Sequence, residues 1–389
     1  MMNGQVLLWL LLPLAAASGW VAARIEQRRH ARQSLDLPSA YFKGLSFLLN
    51  EQPDKAIEVF IRVLEVNSET VETHLALGNL FRRRGEVERA IRIHQNLIAR
   101  PTLDKDQRSQ ALLELGQDYL KAGLFDRAEN LFLELAEIRA HSEQALKLLL
   151  HIYQQEREWE KAIAVTRKLA RVSGRSRDDV IAQYYCELAE QAHAKKNTPG
   201  ARDRLRQALA ADRSCVRASM LLGDLESEEG RYADAIKAWR RIEDQDVHYL
   251  GEVAGRIADA FRRLGDEQGL YDYFRAALAR HGGVALALTF AEVVKDRDGP
   301  KAAEKFVVEW LRRRPNVHGL HQLLMLNLVE AKGPARDDLL LLKGIIEELR
   351  GQHQGYACVQ CGFKGKALHW LCPGCNRWNT IKPIQEEGE

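Results

Sequence analysis

Small residues recur about every 34 positions over most of this 389-residue chain. Eight such positions, seven of them glycine or alanine, follow one another at intervals of 33 to 39 residues: Gly44, Gly78, Gly116, Leu150, Ala189, Gly223, Ala258 and Ala291. A second series lies twelve residues after the first: Ala56, Ala90, Ala128, Ala162, Ala201, Ala235, Leu270 and Ala303. Two antiparallel helices approach closely only where small side chains remove bulk, so this period predicts stacked helix pairs.

Large residues occupy fixed places beside the small ones. Phe47 follows Gly44 by three residues and Phe60 follows it by sixteen, and aromatic residues or His94 fill the equivalent places in the next two repeats. This pattern resembles the tetratricopeptide repeat. The resemblance implies an all-α fold in which helix pairs stack into a superhelix with an extended concave binding surface. We predict that the array covers residues 37–350.

Glycines mark the turns within the repeats, as at Gly85, Gly123 and Gly230. Such turns are typical of the connection between the two helices of one unit. The fifth and seventh repeats fit the periodic pattern poorly. A degenerate helical unit of about residues 317–350 is expected to close the array.

Four cysteines near the C-terminus form two C-x-x-C pairs ten residues apart: Cys358, Cys361, Cys372 and Cys375. Each pair can point two thiolates to one side of a tight turn, so the two turns supply four ligands for one tetrahedral ion. Gly362 and Gly374 suit the positive-φ turns that such knuckles need. The pairs resemble rubredoxin and zinc-ribbon knuckles, but the segment between them is shorter and Asn376 stands where rubredoxins usually place glycine. We predict a rubredoxin-like metal-binding module at residues 355–384, not a stand-alone electron carrier.

Zinc is the expected metal at this site. Four thiolates bind zinc and iron with the same geometry, but a closed sulfur shell leaves no position for water and favours a structural zinc ion. Iron and a pair of disulfides are the alternatives. Trp370 and Trp378 are expected to cover the site or to pack it onto the last repeats. Cys186 and Cys215 lie singly in helical segments and are interpreted as small buried core residues.

An uncharged apolar segment lies near the N-terminus. Residues 5–23 span about 28 Å as a helix, close to the thickness of a bilayer core. Four arginines follow it: Arg24, Arg28, Arg29 and Arg32. Because positive charge favours the cytoplasmic side, we predict a transmembrane anchor at residues 1–23, a basic juxtamembrane segment at residues 24–36 and a cytoplasmic remainder. A cleaved signal peptide is the alternative, although the segment lacks a basic n-region.

Composition and motifs favour a binding protein over an enzyme. The chain is 46% apolar and 29% charged, with a formal net charge of +3, which is typical of a folded protein and gives no bias toward nucleic acid. The sequence contains no nucleophile elbow, phosphate-binding glycine loop or H-E-x-x-H motif. We therefore expect no enzymatic activity and no nucleic-acid partner.

The repeat register assigns seven residues of the second and third repeats to the concave face: Leu75, Asn79, Arg82, Arg83, Leu113, Gln117 and Lys121. We predict that they bind a partner protein. The leucines would anchor its apolar side chains, and the polar residues would donate hydrogen bonds to its carboxylates or main chain. The alternative is that residues 82–84 form only a solvated turn.

The order of these segments resembles the lipopolysaccharide assembly protein B family of Gram-negative bacteria. The resemblance covers essentially the whole chain, and its most specific stretches are GNLFRRRGEVERAIRIHQ from Gly78, CVQCGF from Cys358 and LCPGCNRWNTIKPI from Leu371. It implies a single-pass protein of the cell inner membrane with a cytoplasmic C-terminal domain that binds a metal at the four cysteines.

The resemblance also implies a function and a set of partners. Members of this family are adaptors that limit lipopolysaccharide synthesis by helping the membrane protease FtsH degrade the deacetylase LpxC. A periplasm-facing inner-membrane regulator and lipopolysaccharide assembly components are further implied partners. Two other interpretations stay open: an iron-dependent redox protein, and a membrane-tethered scaffold that coordinates lipopolysaccharide synthesis and export without proteolysis.

Overall fold

A computed structural model describes residues 39–50, 52–66, 71–138, 141–352 and 355–384. These residues form nineteen α-helices followed by three short strands. The helices are α1 (Ser39–Leu49), α2 (Pro53–Val66), α3 (Val71–Arg84), α4 (Val87–Ile98), α5 (Lys105–Lys121), α6 (Phe125–Ala136), α7 (Ser142–Gln155), α8 (Trp159–Ser173), α9 (Asp178–Ala194), α10 (Thr198–Ala211), α11 (Val216–Glu228), α12 (Tyr232–Arg240), α13 (Ile242–Gln245), α14 (Leu250–Leu264), α15 (Glu267–His281), α16 (Val284–Asp298), α17 (Pro300–Arg313), α18 (Val317–Glu330) and α19 (Pro334–Gln352). The strands are β1 (Tyr356–Cys358), β2 (Lys364–Gly365) and β3 (Ile381–Pro383).

The predicted anchor at residues 1–23 and the basic segment at residues 24–36 lie outside the described residues. Within the part of the chain that is described, every helix is too short or too polar to cross a membrane. The chain divides into two compact units, with Ile152 the last residue of the first and Tyr153 the first residue of the second.

Helix pairs of the first unit pack through contacts between a glycine and a large ring sixteen residues later. A methyl group on Gly44 would lie 2.8 Å from the ring of Phe60, and one on Gly116 would lie 2.5 Å from the ring of Phe132. Gly78 has the same relation to His94, whose side chain is fully buried. This constant spacing confirms the predicted pattern of a small residue facing a large one.

The second unit continues the same packing and also departs from it. Gly223 receives the indole of Trp239, which is among the largest fully buried side chains. The fifth repeat, α9 with α10, is a closely packed helix pair despite its poor match to the pattern. Before the seventh repeat, the short helix α13 and a 3-10 turn at Val247–Tyr249 interrupt the series. The interval from Gly223 to Ala258 is still 35 residues, so this interruption replaces the end of a repeat and adds no length.

Side-chain caps fix the starts of three helices in the second unit. Asn197, Asp266 and Asn316 each accept a hydrogen bond from the N–H of a glycine three residues later, at 3.0, 2.9 and 2.7 Å. Such caps satisfy backbone donors that have no partner within the helix. Local chemistry therefore sets where α10, α15 and α18 begin.

The C-terminal strands form a small antiparallel sheet in the order β2-β1-β3. Tyr356 of the central strand lies opposite Gly365 on one side and Pro383 on the other, and Cys358 lies opposite Ile381. Pairing of β1 with β3 places the first cysteine pair beside residues 381–383, which follow the second cysteine pair.

Replacement of Gly116 by alanine is expected to destabilise the protein by about 1–3 kcal/mol, because the new methyl group has no room beside the Phe132 ring. The matched change at Gly255, an exposed glycine of α14 with open space around it, should be neutral or stabilise by up to about 1 kcal/mol. Thermal unfolding followed by circular dichroism measures both. Equal effects in the two variants would contradict this packing account.

Candidate metal centre

The two cysteine pairs form similar tight turns. The N–H of Gly362 donates to the carbonyl of Cys358 at 3.0 Å, and the N–H of Asn376 donates to the carbonyl of Cys372 at 2.9 Å. The residue after each pair has a positive φ, 75° at Gly362 and 52° at Asn376. Asparagine tolerates this left-handed conformation better than most residues. The asparagine at a usual glycine position is therefore compatible with the knuckle.

Gly374 serves the site differently from the sequence-based expectation. It does not have a positive φ; instead, a methyl group at this position would lie 3.2 Å from Sγ of Cys361. A side chain here would press on a ligand sulfur. Glycine at position 374 is therefore favoured by close approach to the sulfur and not by backbone conformation.

The four sulfur atoms are arranged as a metal would require. The ligand atoms of Cys358, Cys361, Cys372 and Cys375 all lie within 4.8 Å of one another. Sγ of Cys358 is 3.8 Å from Sγ of Cys375, and Sγ of Cys361 is 3.7 Å from Sγ of Cys372. A tetrahedron with Zn–S bonds of ~2.3 Å has edges of about 3.8 Å. These distances fit a four-sulfur metal site and are too long for disulfide bonds.

Polar groups around Cys358 favour its thiolate form. Burial acts to raise the pKa of Cys358, but the Thr380 hydroxyl and the backbone N–H groups of Cys361 and Gln360 outweigh it and lower the pKa to about 6. The hydroxyl of Thr380 is 3.3 Å from Sγ of Cys358, and the N–H of Gln360 is 3.4 Å from it. Thiolate is the form that binds metal.

One edge of the module packs on the 3-10 turn between α13 and α14. The Tyr249 hydroxyl donates to the carbonyl of Ile381 at 2.6 Å. The Tyr249 ring also stacks on Trp370, with ring centroids 5.6 Å apart and planes inclined by 23°. Tyr249 is only 1% exposed, so the module covers it. One side chain thus provides both an aromatic contact and a hydrogen bond to β3.

A second aromatic contact lies on the other edge. Trp378 meets Trp159 and Tyr184 edge-on, with centroids 6.2 and 5.8 Å away. Trp159 and Tyr184 stack on each other at 5.6 Å. Burial raises the pKa of Tyr184 to about 12, so its hydroxyl is neutral at physiological pH. The start of α8 and the middle of α9 therefore form an apolar surface on which Trp378 packs.

A buried arginine lies between these two contacts. Arg217 of α11 is 3% exposed, and its guanidinium carbon is 5.9 Å from the Trp370 ring centroid and 5.8 Å from that of Trp378. Its Nη2 donates to Glu187 at 2.7 Å and to Glu190 at 3.0 Å, both on α9. Arginine suits this position, because its flat face packs on aromatic rings while its edge binds carboxylates.

Polar contacts border the packed centre. The Tyr356 hydroxyl lies 3.0 Å from both carboxylate oxygens of Glu252, and Lys382 donates to Asp246 at 2.8 Å. Burial acts to raise the pKa of Asp246, but hydrogen bonds from Lys382 and His248 outweigh it and hold the pKa below its usual range. These contacts fix the orientation of the module on the helices.

The module contacts the middle of the helix array, which differs from the expectation of the last repeats. Trp370 and Trp378 do pack it onto repeats, but their partners lie on α8, α9, α11 and the turn before α14. Sequence reasoning missed Arg217 and Tyr249. A buried arginine and a tyrosine in a turn resemble ordinary surface residues until the fold brings them against the module.

The two remaining cysteines are buried, as predicted. Cys186 and Cys215 are both fully buried, and their sulfur atoms lie 4.0 Å apart. Their separation of 29 positions along the chain gave no sign of this proximity. They pack in the core formed by α9, α10 and α11.

The seven predicted partner-binding residues lie on α3 and α5 of the first unit. Arg83 and Lys121 are exposed, whereas Leu75, Asn79, Arg82 and Gln117 are half-buried. Leu113 is only 1% exposed. Of the two leucines proposed as anchors, Leu75 is thus the more accessible.

Arg82 takes part in a buried network between repeats. Its guanidinium donates to Glu114 at 2.6 Å and to Asp118 at 2.8 Å, and Nδ1 of His94 lies 2.5 Å from Asp118. Asp118 and His94 are fully buried. Arg82 thus links α3 to α5, and its side chain is not that of a solvated turn. Arg83 and Lys121 remain the better probes of a partner contact.

Replacement of Tyr249 by phenylalanine is expected to loosen the module by about 1–3 kcal/mol, because it leaves the buried carbonyl of Ile381 without its donor but preserves the ring. Hydrogen exchange of residues 356–358 and 381–383 should become faster. Tyr232→Phe is the matched control, since its hydroxyl makes no hydrogen bond within the described residues. Unchanged exchange in Tyr249→Phe would mean that this bond does not hold the module.

Comparison with known proteins agrees with this architecture. Residues 356–383 match a family described as a rubredoxin metal binding domain, and residues 73–109 and 188–246 match tetratricopeptide repeats. Two solved structures match at low similarity. Naa15/Naa10 bound to HypK-THB has a TM-score of 0.44 and 13% identity, covering 80% of this chain and 47% of that one. MamA has a TM-score of 0.33 and 19% identity, covering 44% and 94%.

Curated relatives match over nearly the full length. Lipopolysaccharide assembly protein B of Escherichia coli K12 is 38% identical over 381 residues, covering 97% of this chain and 98% of the relative. The protein of the same name from Haemophilus influenzae Rd is 35% identical over 400 residues, covering 98% of each. With its repeats and four-cysteine module, the chain belongs to the lipopolysaccharide assembly protein B family, a family of scaffold or adaptor type.

Proposed function

We propose that this protein is an inner-membrane adaptor that regulates lipopolysaccharide synthesis by promoting FtsH-dependent proteolysis of LpxC. The observation that carries a role in lipopolysaccharide assembly is the 38% identity to a protein of that name over 97% of the chain. The proteolytic role rests on the family resemblance read from the sequence. An adaptor needs binding surfaces and no reaction centre, and helical repeats supply such surfaces.

The fixed position of the metal module on the helices also supports an adaptor function. It is held by aromatic, ionic and backbone contacts to α8, α9, α11 and the turn at Tyr249. A module fixed in this way presents its exposed side together with the neighbouring helices as one surface. Preorganised surfaces bind partners at a lower entropic cost than mobile ones.

The metal of the module is proposed to be zinc. The sulfur spacing fits a tetrahedral ion, and the four cysteines would close its coordination shell. Bound zinc would crosslink the two knuckles and supply no further chemistry. Zinc binding would therefore stabilise a module whose own buried core consists of little more than Cys358, Cys372 and Ile381.

Residues 5–23 are proposed to anchor the protein in the inner membrane, with the helical repeats and the metal module in the cytoplasm. Support comes from their uncharged apolar sequence and the arginines that follow. An anchor would place the repeats beside a membrane protease. The periplasm-facing inner-membrane regulator and lipopolysaccharide assembly components complete the proposed set of partners.

A scaffold without a proteolytic role is the alternative function. It would use the same anchor and repeats to gather enzymes of lipopolysaccharide synthesis and export. The name of the curated relatives fits either role. The two roles differ in whether loss of the protein changes the lifetime of LpxC.

Purified protein is expected to contain about one zinc ion per chain, and Cys372→Ser should lose it, because three thiolates no longer close the shell. Elemental analysis measures the metal, and thermal unfolding should show an earlier transition for the module. Cys186→Ala removes a cysteine outside the site and should retain the zinc. Iron in place of zinc would contradict the proposed metal, and full metal content in Cys372→Ser would contradict the proposed site.

Depletion of the protein is expected to lengthen the lifetime of LpxC severalfold, because FtsH would lose its adaptor. A chase after arrest of protein synthesis, followed by immunoblotting for LpxC, measures this lifetime. An FtsH-deficient strain should show no further effect of depletion. If LpxC turns over at the same rate with and without the protein, the scaffold role replaces the proteolytic one.

The predicted contact on the early repeats can be tested in the same assay. Arg83→Glu with Lys121→Glu changes two exposed residues of that surface, whereas Arg92→Glu with Lys105→Glu makes the same charge change at exposed positions outside it. The first pair should lengthen LpxC lifetime at normal protein abundance, and the control pair should not. Equal lifetimes would remove this surface from the proposal without affecting the role of the whole protein.

A further inference from the structure

A cleft of about 400 Å³ lies between α10, α11 and α12 in the fifth and sixth repeats. Five cationic side chains line it: Arg202, Arg206, Arg231, Lys237 and Arg241. Glu226 and Asp234 of the lining, with Glu229 beside them, oppose these cations, which leaves a formal charge of +2. The whole chain has a net charge of +3. This cleft is therefore a local excess of positive charge and not part of a generally basic protein.

Two of the five cations are held in place by carboxylates. Glu226 is 6% exposed, accepts from Nε of Arg202 at 2.8 Å and also binds Arg231. Glu229 pairs with the same two arginines at 2.6 and 2.5 Å. Arg202 and Arg231 are thereby neutralised and fixed. They form a rigid floor for the cleft and do not account for its excess charge.

The other three cations carry the excess. Arg206, Lys237 and Arg241 are exposed, and none has a carboxylate partner within the described residues. Arg206 lies one turn from Arg202 on α10, while Lys237 and Arg241 lie one turn apart at the end of α12. Arg256 of the neighbouring helix, by contrast, is paired with Asp224 at 2.7 Å. Three unpaired like charges facing one cleft repel one another, and a bound anion would relieve this repulsion.

The basic surface continues past the cleft. A neighbouring depression of about 380 Å³ shares Lys237 and Arg241, adds Arg240 and Arg280, and also contains Glu243 and Asp244. Arg280 is paired with Glu243 at 3.2 Å, and Arg240 lies over the ring of Tyr273 at 5.1 Å. The unpaired charge is thus concentrated at the shared boundary.

We propose that this cleft binds a small ligand that carries two phosphate groups. Each phosphate monoester has a charge of about −1.5 to −2 at neutral pH, so two of them match the three unpaired cations of the cleft. The cleft volume falls within the range of about 300–1,000 Å³ that small-molecule sites occupy. Arginine and lysine are the side chains that bind phosphate oxygens in proteins. A free diphosphate and a lipid headgroup that carries two phosphates present the same chemistry to these residues.

Titration calorimetry of the purified full chain with inorganic pyrophosphate tests the proposal. Binding is expected to weaken as salt concentration rises, because the contacts are ionic. The triple variant Arg206→Glu, Lys237→Glu and Arg241→Glu should lose at least about tenfold in affinity. The control variant Lys301→Glu, Arg312→Glu and Arg313→Glu makes the same charge change at exposed positions of α17 and should stay within about twofold of the wild type.

Titration with a water-soluble, short-chain diacylglycerol pyrophosphate distinguishes the two sources of phosphate. If the control variant binds this lipid more tightly than pyrophosphate and the triple variant does not, the ligand is a lipid headgroup. Pyrophosphate binding without that difference indicates a soluble ligand. The proposal is overturned if neither probe binds, if the triple and control variants bind equally, or if a polyglutamate peptide binds more tightly than pyrophosphate. Circular dichroism of the triple variant confirms that its helices are intact.

Discussion

The guanidinium of Arg217 joins the metal module to the helix array. It lies under the rings of Trp370 and Trp378 and binds Glu187 and Glu190 with its edge. A buried charge is costly unless it is paired, and here the carboxylates of α9 compensate for the loss of water. The aromatic rings complete the burial. The arginine is therefore stable in this position only when both the repeats and the module are in place.

Mutual dependence of this kind explains how so small a module is positioned. Three strands of two or three residues cannot form an independent core, so metal ligation and packing on the helices must both contribute. The metal would hold the knuckles, and the knuckles hold the tryptophans. Those tryptophans then contact α8, α9 and α11. Loss of the metal would thus also weaken the packing of α8, α9 and α11, although these helices carry no metal ligand.

The repeats and the metal ligands could be predicted from sequence because both are local. A glycine such as Gly116 meets Phe132 sixteen residues away, and a C-x-x-C turn closes within four residues. The docking of the module could not be predicted in the same way. Tyr249 and Ile381 are 132 residues apart, and periodicity gives the order of the helices but not the place of a segment outside the repeat. The ion pair of Arg82 could not be predicted for the same reason, since its partner Asp118 lies in the next repeat.

Hydrogen exchange before and after removal of the metal by a chelator tests the dependence between module and helices most directly. The account predicts faster exchange in residues 356–383 and also in α9 and α11, because Arg217 loses its aromatic cover when the knuckles open. The helices α1 and α2, which lie in the other compact unit, should be unaffected. Unchanged exchange in α9 and α11 after complete loss of the metal would contradict it.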